Sequence, residues 1–168
     1  MKTIPLTRGK EAIVDDEDYG WLSQWGWYLM ANSEIEGYAH YQPKKHGPFY
    51  YMHRLIAKLM YDIPEGYEVD HINGNSLDNR RANIRIVTPA QNNMNAKKRK
   101  GCSSKYKGVS WKEPRQKWYA YHFMNGKQYH LGVFDSEIKA AKAYDEAAKK
   151  HYGKFARLNF PEQKEAGI

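Results

Sequence analysis

The segment from residue 67 to residue 95 constrains the fold of this chain more than any other. A short strand is predicted to end on Asp70 and His71, because the Asn-Gly pair that follows shortly after is a strong signal for a tight turn. Residues 83–87 predict a returning strand, and the Thr-Pro pair after them is typical of the first turn of a helix. The segment therefore predicts strand, loop, strand and helix, with an acid and a histidine where the first strand ends.

The residues before this segment predict short strands and helices. Two strands around a glycine-containing turn are expected within residues 3–14, and the acidic run at residues 15–18 suits the start of a helix. Antiparallel strands are expected at residues 25–30 and 37–41. A helix is expected at residues 50–60. Its predicted apolar face consists of Leu55, Ile56, Leu59 and Met60.

The residues after residue 95 predict a basic linker at 96–104 and then a second folded segment. Three strands are expected in it, the last two joined by a hairpin, at residues 109–111, 117–123 and 128–134. A helix capped by Asp135 or Ser136 is expected to run to about residue 151. Its predicted apolar face consists of Ile138, Ala141, Tyr144, Ala147 and Ala148.

Positive charge is concentrated at the C-terminal end of the chain. The net charge is +8, and residues 96–168 contain 17 lysines and arginines against 7 acidic residues, whereas residues 1–50 contain 5 against 7. A polyanion is therefore the expected partner class, with the electrostatic footprint in the last part of the chain. The alternative is that the excess lysine only keeps the protein soluble.

Cysteine content and hydropathy exclude several classes of protein. With the single cysteine Cys102, an internal disulfide and a zinc site built on thiolates are both excluded, so no structural zinc is expected. No apolar run approaches the roughly 20 residues that a membrane span needs. The opening residues lack the apolar core of a signal peptide, so we expect a cytoplasmic protein without a membrane partner.

The middle segment resembles the HNH, or ββα-metal, homing endonucleases of phage introns and phage genomes. The resemblance is close over residues 53–95 and loose over residues 4–22. It is carried by the strings VDHINGN at 69–75, LDNR at 77–80, ANIR at 82–85 and VTPAQN at 87–92. A match of this length and order is specific.

The resemblance implies a role for each polar residue of the motif. It implies that His71 is the general base, that Asp70 and Asn92 are metal ligands, and that Asn83 is the central asparagine, bracing the loop and orienting His71. One carboxylate oxygen and one amide oxygen are hard ligands that suit Mg²⁺, and Mn²⁺ is expected to be tolerated. For Asp70 and His71 to reach the metal together, the strand must end and twist there, because neighbouring strand residues point to opposite faces.

Several basic residues near the motif could contact phosphate. An arginine can clamp a phosphate through two parallel hydrogen bonds, and the alternative for each is solvated surface or packing of its helix onto the site. These candidates are His53, Arg54, Arg80, Arg81 and Arg85.

The last segment resembles the Apetala-type DNA-binding domain of plant ethylene-response factors. The strings YKGV at 106–109, LGVFD at 131–135, AAKAYDEAA at 140–148 and LNFP at 158–161 carry the resemblance, which covers nearly the whole segment. It implies a three-stranded sheet in the major groove. The domains expected are therefore an α+β nuclease domain at 1–95 (1–63, then the ββα-metal core at 64–95), the linker at 96–104, the Apetala-type domain at 105–161 and a tail at 162–168.

Strand alternation predicts which side chains of this sheet face DNA. Trp118, Ala120 and His122 are expected to face the helix. Alternation gives the DNA-facing candidates Tyr119, Tyr121, Phe123, Gln128 and His130. The resemblance adds Lys107, Ser110, Lys112 and Arg115, which match contact positions of the Apetala-type domain, and Lys117 is a further candidate. For the two tyrosines, cross-strand packing is the alternative. Plant domains are arginine-rich at these positions, so looser base discrimination is expected here, with more of the affinity from phosphate contacts.

These features together predict a Mg²⁺-dependent endonuclease that binds double-stranded DNA through its C-terminal domain. One metal site per chain predicts one nick per monomer, and no obligate protein partner is expected beyond a monomer or a weak dimer. The alternative is a DNA-binding regulator that keeps a nuclease fold without its activity. RNA binding by the basic, aromatic sheet is a third, less favoured reading.

Overall fold

The computed structural model describes residues 1–31, 37–99 and 101–161, and the expected tail at 162–168 lies outside these ranges. The chain divides into two compact units, Met1–Pro89 and Ala90–Ile168. Neither unit contains, within the described residues, a helix both long enough and apolar enough to cross a bilayer.

The first unit is built from short antiparallel sheets and two helices. Its elements in chain order are β1 (Lys2–Pro5), β2 (Glu11–Val14), α1 (Asp16–Leu22), β3 (Tyr28–Ala31), β4 (Gly37–Tyr41), β5 (Tyr50–Tyr51), α2 (Met52–Met60), β6 (Glu68–His71) and β7 (Ile84–Val87). β1 pairs with β2, β4 lies between β3 and β5, and β6 pairs with β7. The predicted hairpin at the N-terminus, the acidic start of α1 and the strand pair around the Asn-Gly turn are all confirmed.

The core of the first unit forms where α2 lies against the strands. The buried face of α2 consists of Met52, His53, Ile56 and Ala57. Of the predicted apolar face, Ile56 is buried, but Leu59 is 64% exposed, so that part of the prediction is wrong. Hydropathy selected Leu59, whereas the i, i+4 row through Met52 and Ile56 continues at Met60, which packs against the core.

The second unit contains a three-stranded sheet with one long helix packed on it. Its elements are α3 (Pro89–Asn95), β8 (Val109–Lys112), β9 (Lys117–Met124), β10 (Lys127–Phe134) and α4 (Glu137–Tyr152), where all of α3 except its first residue belongs to this unit. The strand order is β10-β9-β8, with antiparallel pairs throughout. Ser136 caps α4 by accepting a hydrogen bond from the Lys139 N–H. The predicted α+β class and the sheet-plus-helix arrangement are confirmed.

The buried face of α4 is set by small residues that let the helix lie close to the sheet. Ala140, Ala141, Tyr144 and Ala148 are buried on it. Ile138 was expected on this face but is 50% exposed, because the buried row passes through Ala140 and Ala141 at the start of the helix. The strand faces agree with the prediction, since Ala120 and His122 are both buried.

The two compact units divide between Pro89 and Ala90, within the segment that the sequence assigns to the nuclease core. Met94 on α3 packs against the cluster formed by Tyr144, Ala148 and Tyr152 of α4. Within the expected linker, Ser104 is buried and donates a hydrogen bond to Glu137. α3, the helix that completes the strand–loop–strand–helix pattern, therefore belongs to the second unit. The end of the expected linker also packs within that unit.

Candidate functional site

Asp70 and His71 lie at the end of β6, and both are buried. The ladder pairs Asp70 with Arg85 and His71 with Ile84. Directly opposed residues of an antiparallel pair share one face, and neighbouring residues alternate faces. Asp70 therefore lies on the face of Arg85 and His71 on the face of Ile84. β6 ends at His71, as expected, and the Asp70 carboxylate lies close enough to the His71 ring to act against the lowering of its pKa.

His71 is held in a pocket of aromatic rings. Its ring centroid is 4.9 Å from that of His53 and 6.1 Å from that of Tyr38. Burial lowers the pKa of His71 from its ordinary value, while the hydrogen bond that its ring donates to Asn79 and the charges of Asp70 and Asp78 act in the opposite direction. The net effect keeps the imidazole neutral at physiological pH, which is the form that can accept a proton.

Asn79 is the residue that orients the imidazole. Its Oδ1 lies 3.3 Å from His71 Nε2, and its Nδ2 donates to the Leu77 carbonyl at 3.2 Å, which fixes the orientation of the amide. Because an amide oxygen only accepts hydrogen bonds, the proton of neutral His71 belongs on Nε2, and Nδ1 carries the lone pair. Asn79 is fully buried and was part of the LDNR string, but the sequence assigned it no role.

Asn83 braces the loop between β6 and β7, as the resemblance implies. Its Oδ1 accepts from the Asn73 N–H at 3.0 Å, and its Nδ2 donates to the Asn73 side chain at 3.1 Å and to the Asp78 carbonyl at 2.7 Å. With its amide engaged in this way, Asn83 does not hydrogen bond to His71, and the expectation that it orients the ring directly is wrong. Asn83 braces the loop, and Asn79 orients the ring of His71.

The carboxylate of Asp70 forms an ion pair with Arg85. The guanidinium donates two hydrogen bonds to Asp70 Oδ2, at 2.9 and 2.7 Å, and both side chains are largely buried. Arg85 therefore orients the predicted metal ligand, and its contact to phosphate stays a prediction. A carboxylate fits a hard cation such as Mg²⁺ in its chemistry.

The other two predicted arginine clamps are also bound within the first unit. Arg80 forms a bidentate pair with Asp78, at 2.7 Å for both bonds. Arg81 donates two hydrogen bonds of 2.8 Å to the buried Asp18 and lies 3.1 Å from Glu17. These pairs raise the pKa of both guanidinium groups. Both arginines therefore anchor the loop, and their contacts to phosphate stay a prediction.

The acidic residues at the start of α1 could in principle collect a cation. Oxygen atoms of Asp15, Glu17 and Asp18 lie within 4.8 Å of one another. Arg81 already contacts all three, since its backbone N–H also donates to Asp15 at 2.8 Å. Arg81 therefore offsets part of the negative charge of this cluster, and the contacts fix the loop.

His53 and Arg54 sit next to each other on α2 but in opposite environments. His53 is buried, and its ring faces Tyr38, Tyr51 and His71 at centroid distances of 5.1, 5.8 and 4.9 Å. Burial, with smaller contributions from His71 and Arg54, lowers its pKa to about 3. A neutral, buried ring is not a phosphate contact, so that prediction is wrong for His53. Arg54 is exposed and remains a candidate.

Asn92 lies on α3, where its side chain is half-buried. The helix that carries it is fixed from its own unit. The Lys107 ammonium donates to the carbonyls of Asn93, Met94 and Ala96 at 3.1, 2.6 and 2.7 Å, which caps the C-terminal end of α3. The assignment of Asn92 as the third ligand stays a prediction.

Lys107 was expected to contact DNA, and the structure places it elsewhere. Burial, together with the nearby charge of Arg157, lowers the pKa of its ammonium to about 8. Its backbone N–H also donates to Asn159, at 2.7 Å. Lys107 therefore joins α3 to the rest of the second unit. Its assignment as a DNA contact is wrong.

The remaining predicted DNA contacts share the open face of the sheet. The register opposes Ser110 to Tyr119 and Lys112 to Lys117 across β8 and β9, and Phe123 to Gln128 and Tyr121 to His130 across β9 and β10. Because these are directly opposed pairs at alternate positions of β9, all eight side chains belong to the face turned away from α4. The alternation prediction is confirmed for this set.

Two of the basic residues on this face are bound to neighbours. Arg115, in the turn before β9, donates to Tyr119 Oη at 2.8 Å. Lys117 forms an ion pair with Asp135. The cross-strand packing that was the alternative for Tyr119 is also present, because its ring lies 5.2 Å from that of His130.

Val133 is a residue of this face that the sequence did not reveal. A register shift between His130 and Gly132 places Val133 opposite Tyr119, where it is 44% exposed. Simple alternation along β10 puts Val133 with Leu131 and Tyr129 on the other face. A bulge adds one residue and reverses that alternation, and nothing in the local sequence except Gly132 signals it.

Comparison with known proteins assigns both parts of the chain. A family model described as HNH endonuclease matches residues 50–94, and one described as AP2 domain matches residues 104–154. An uncharacterised HNH endonuclease of Acanthamoeba polyphaga mimivirus is 32% identical over 158 residues, which cover 92% of this chain and 78% of that protein. No solved structure matches the chain.

Two further relatives match parts of the chain. The "SPbeta prophage-derived putative HNH homing endonuclease YosQ" of Bacillus subtilis (strain 168) is 50% identical over 66 residues, covering 39% of this chain but only 37% of its own length. Protein 3.8 of Escherichia phage T7 is 37% identical over 96 residues, covering 57% of this chain and 78% of its own length.

Proposed function

This chain belongs to the HNH endonuclease family and carries an AP2 domain after the nuclease segment, and on that premise we propose that it hydrolyses phosphodiester bonds of duplex DNA with one divalent metal ion. The finer parts of the proposal are that the ion is Mg²⁺, that each chain cuts one strand, and that the AP2 unit delivers the nuclease to its target. The observation that carries it is the buried, neutral His71 with its tautomer fixed by Asn79.

The chemistry requires a base that is neutral at cellular pH and aimed at water. A water oxygen forms a bond to phosphorus, and Nδ1 of His71 takes the proton. The bond from phosphorus to the leaving sugar oxygen breaks, and that oxygen keeps the electron pair and takes a proton from solvent. The Nε2–H of His71 donates to Asn79 Oδ1 throughout, so the ring cannot rotate away as charge develops on it. Asn79 is a positioning residue in this scheme, because it acts only through His71.

Asp70 and Asn92 are the proposed ligands of the metal ion. A carboxylate and an amide oxygen form a hard donor set that fits Mg²⁺ and leaves room for water and phosphate oxygens. When bound, the ion supplies positive charge against the charge that develops on the phosphate. Arg85 holds Asp70 in place from the neighbouring strand.

Plasmid relaxation tests the base and its orientation. Wild-type protein with Mg²⁺ is expected to convert supercoiled plasmid to open circles, and His71→Ala is expected to lose about 10²–10⁴-fold of the rate. Asn79→Asp keeps an acceptor at the ring and is expected to keep more activity than Asn79→Leu, which removes it. Equal rates for wild type and His71→Ala would remove His71 from the mechanism.

The ligand assignment is tested separately on α3. Asn92→Ala is expected to raise the Mg²⁺ concentration needed for half-maximal cleavage, while Asn93→Ala, at the exposed neighbouring position, is expected to leave it unchanged. Open circles are expected to precede linear plasmid, since one site per chain cuts one strand. Linear product formed directly by a protein shown to be monomeric would contradict the nicking proposal.

A further inference from the structure

The open face of β9 and β10 carries exposed apolar side chains, whereas DNA-binding surfaces usually carry cationic ones. Phe123 is 53% exposed and Val133 44% exposed, on the strands that form the middle and one edge of the sheet. The cations of this face, Lys112, Arg115 and Lys117, all lie at the β8–β9 turn. Among the side chains assigned to this face, those nearest the β9–β10 hairpin therefore carry no guanidinium or ammonium group.

The major groove offers one apolar feature to such a surface. Guanine presents two acceptors that arginine or lysine reads, whereas thymine presents its 5-methyl group, which makes apolar contacts. Adenine, the partner of thymine, presents an acceptor and a donor that a glutamine side chain matches with two hydrogen bonds. Phe123 and Gln128 are directly opposed across β9 and β10, and the side chains of such pairs are neighbours on one face.

We infer that this face selects A·T base pairs, with Phe123 near the β9–β10 hairpin and Val133 opposite Tyr119 against thymine methyl groups, and Gln128 on adenine. The inference rests on the proposed role of the AP2 unit in binding duplex DNA, and it names the base composition that this unit prefers. The excess positive charge of residues 96–168, at 17 basic against 7 acidic residues, complements the phosphates on either side of the groove.

The test compares four duplexes of equal length in the presence of EDTA, which prevents cleavage. They contain alternating A·T pairs, the same sequence with uracil in place of thymine, alternating G·C pairs, and the same G·C sequence with 5-methylcytosine. Fluorescence anisotropy of the full chain gives the dissociation constants. Uracil removes the methyl group from the groove, and 5-methylcytosine adds one at the corresponding position.

The A·T duplex is expected to bind most tightly. Its uracil counterpart is expected to bind about fourfold more weakly for each methyl group that the protein buries, and methylation is expected to strengthen binding of the G·C duplex. Phe123→Ala is expected to remove most of the thymine–uracil difference and Val133→Ala part of it. Gln128→Ala is expected to weaken binding of both A·T and A·U duplexes equally, because it acts on adenine.

The controls separate the possible failures. Ile138→Ala truncates an equally exposed apolar residue on α4 and is expected to change nothing. Equal binding of the thymine and uracil duplexes, or tighter binding of the unmethylated G·C duplex, would overturn the inference while leaving DNA binding intact. Failure of the wild-type protein to bind any of the four would instead refute the proposed role of the AP2 unit.

Discussion

Acidification should destabilise the first unit through His53. The ring is buried and has a pKa of about 3 in the folded protein, against an ordinary value of 6.5. Between these two values the unfolded chain binds a proton that the folded chain does not, so the free energy of unfolding falls as the pH falls. Lowering the pH from 7.5 to 5.0 should cost about 2 kcal/mol through this one residue.

Replacing His53 with phenylalanine isolates that contribution. The substitution keeps a ring beside Tyr38, Tyr51 and His71 but removes the titrating nitrogen atoms. Hydrogen exchange of the amides of α2 reports the opening of this unit, and comparing the two proteins at the same pH cancels the intrinsic exchange rate. The wild-type rate relative to the variant rate should rise about 30-fold between pH 7.5 and pH 5.0.

The control for this experiment is another histidine of the first unit. His46 is exposed and has a left-handed backbone, at φ 66°, which asparagine also tolerates. His46→Asn should therefore keep the wild-type pH dependence. If His53→Phe also keeps it, the ring of His53 is protonated in the folded protein at pH 5.0, and the argument from its burial fails. A histidine NMR titration of the wild-type protein measures the same pKa directly.

Three further substitutions test the contacts that hold the two candidate sites. Gly108→Ala should destabilise the second unit by more than about 3 kcal/mol, measured by urea unfolding, because a Cβ at this φ of +72° would lie 2.0 Å from the Tyr144 ring. Lys107→Met removes three hydrogen bonds to α3 and should speed amide exchange in that helix by an amount equivalent to about 2 kcal/mol; unchanged exchange would show that α3 needs no such cap. Arg85→Met should lower the free energy of unfolding of the first unit by about 3–5 kcal/mol, and millimolar Mg²⁺ should recover more stability in this variant than in the wild type if Asp70 binds the ion.

The elements of both units could be predicted because their signals are local. Turn glycines, the acidic start of α1 and the Ser136 cap act over a few residues, and strand alternation sorted the faces of β9 correctly. The residue that was wrongly placed on each helix face has the same cause in both helices. Hydropathy selected Leu59 and Ile138, while burial followed the helix position that packs against the strands.

The partners of the charged residues could not be predicted, because they come from distant parts of the chain. Arg81 pairs with Asp18, which is 63 residues away, and Lys107 hydrogen bonds to Asn159, which is 52 residues away. From the sequence alone, each of these cations was predicted to be exposed and to contact DNA. Their acidic and amide partners lie in segments whose packing only the fold reveals.

The N-terminal hairpin, which contributes no candidate catalytic residue, holds the base in position. The Ile13 N–H donates to the Leu77 carbonyl and the Ile13 carbonyl accepts from the Asn79 N–H, both at 2.8 Å, so β2 holds the backbone on both sides of Asp78. Leu77 in turn accepts from the Asn79 side chain, whose oxygen faces the ring of His71. The tautomer of the proposed base therefore depends on a backbone strand more than fifty residues earlier. This dependence gives a physical reason why the first 22 residues belong to the same compact unit as the HNH motif, although the family model matched here begins at residue 50.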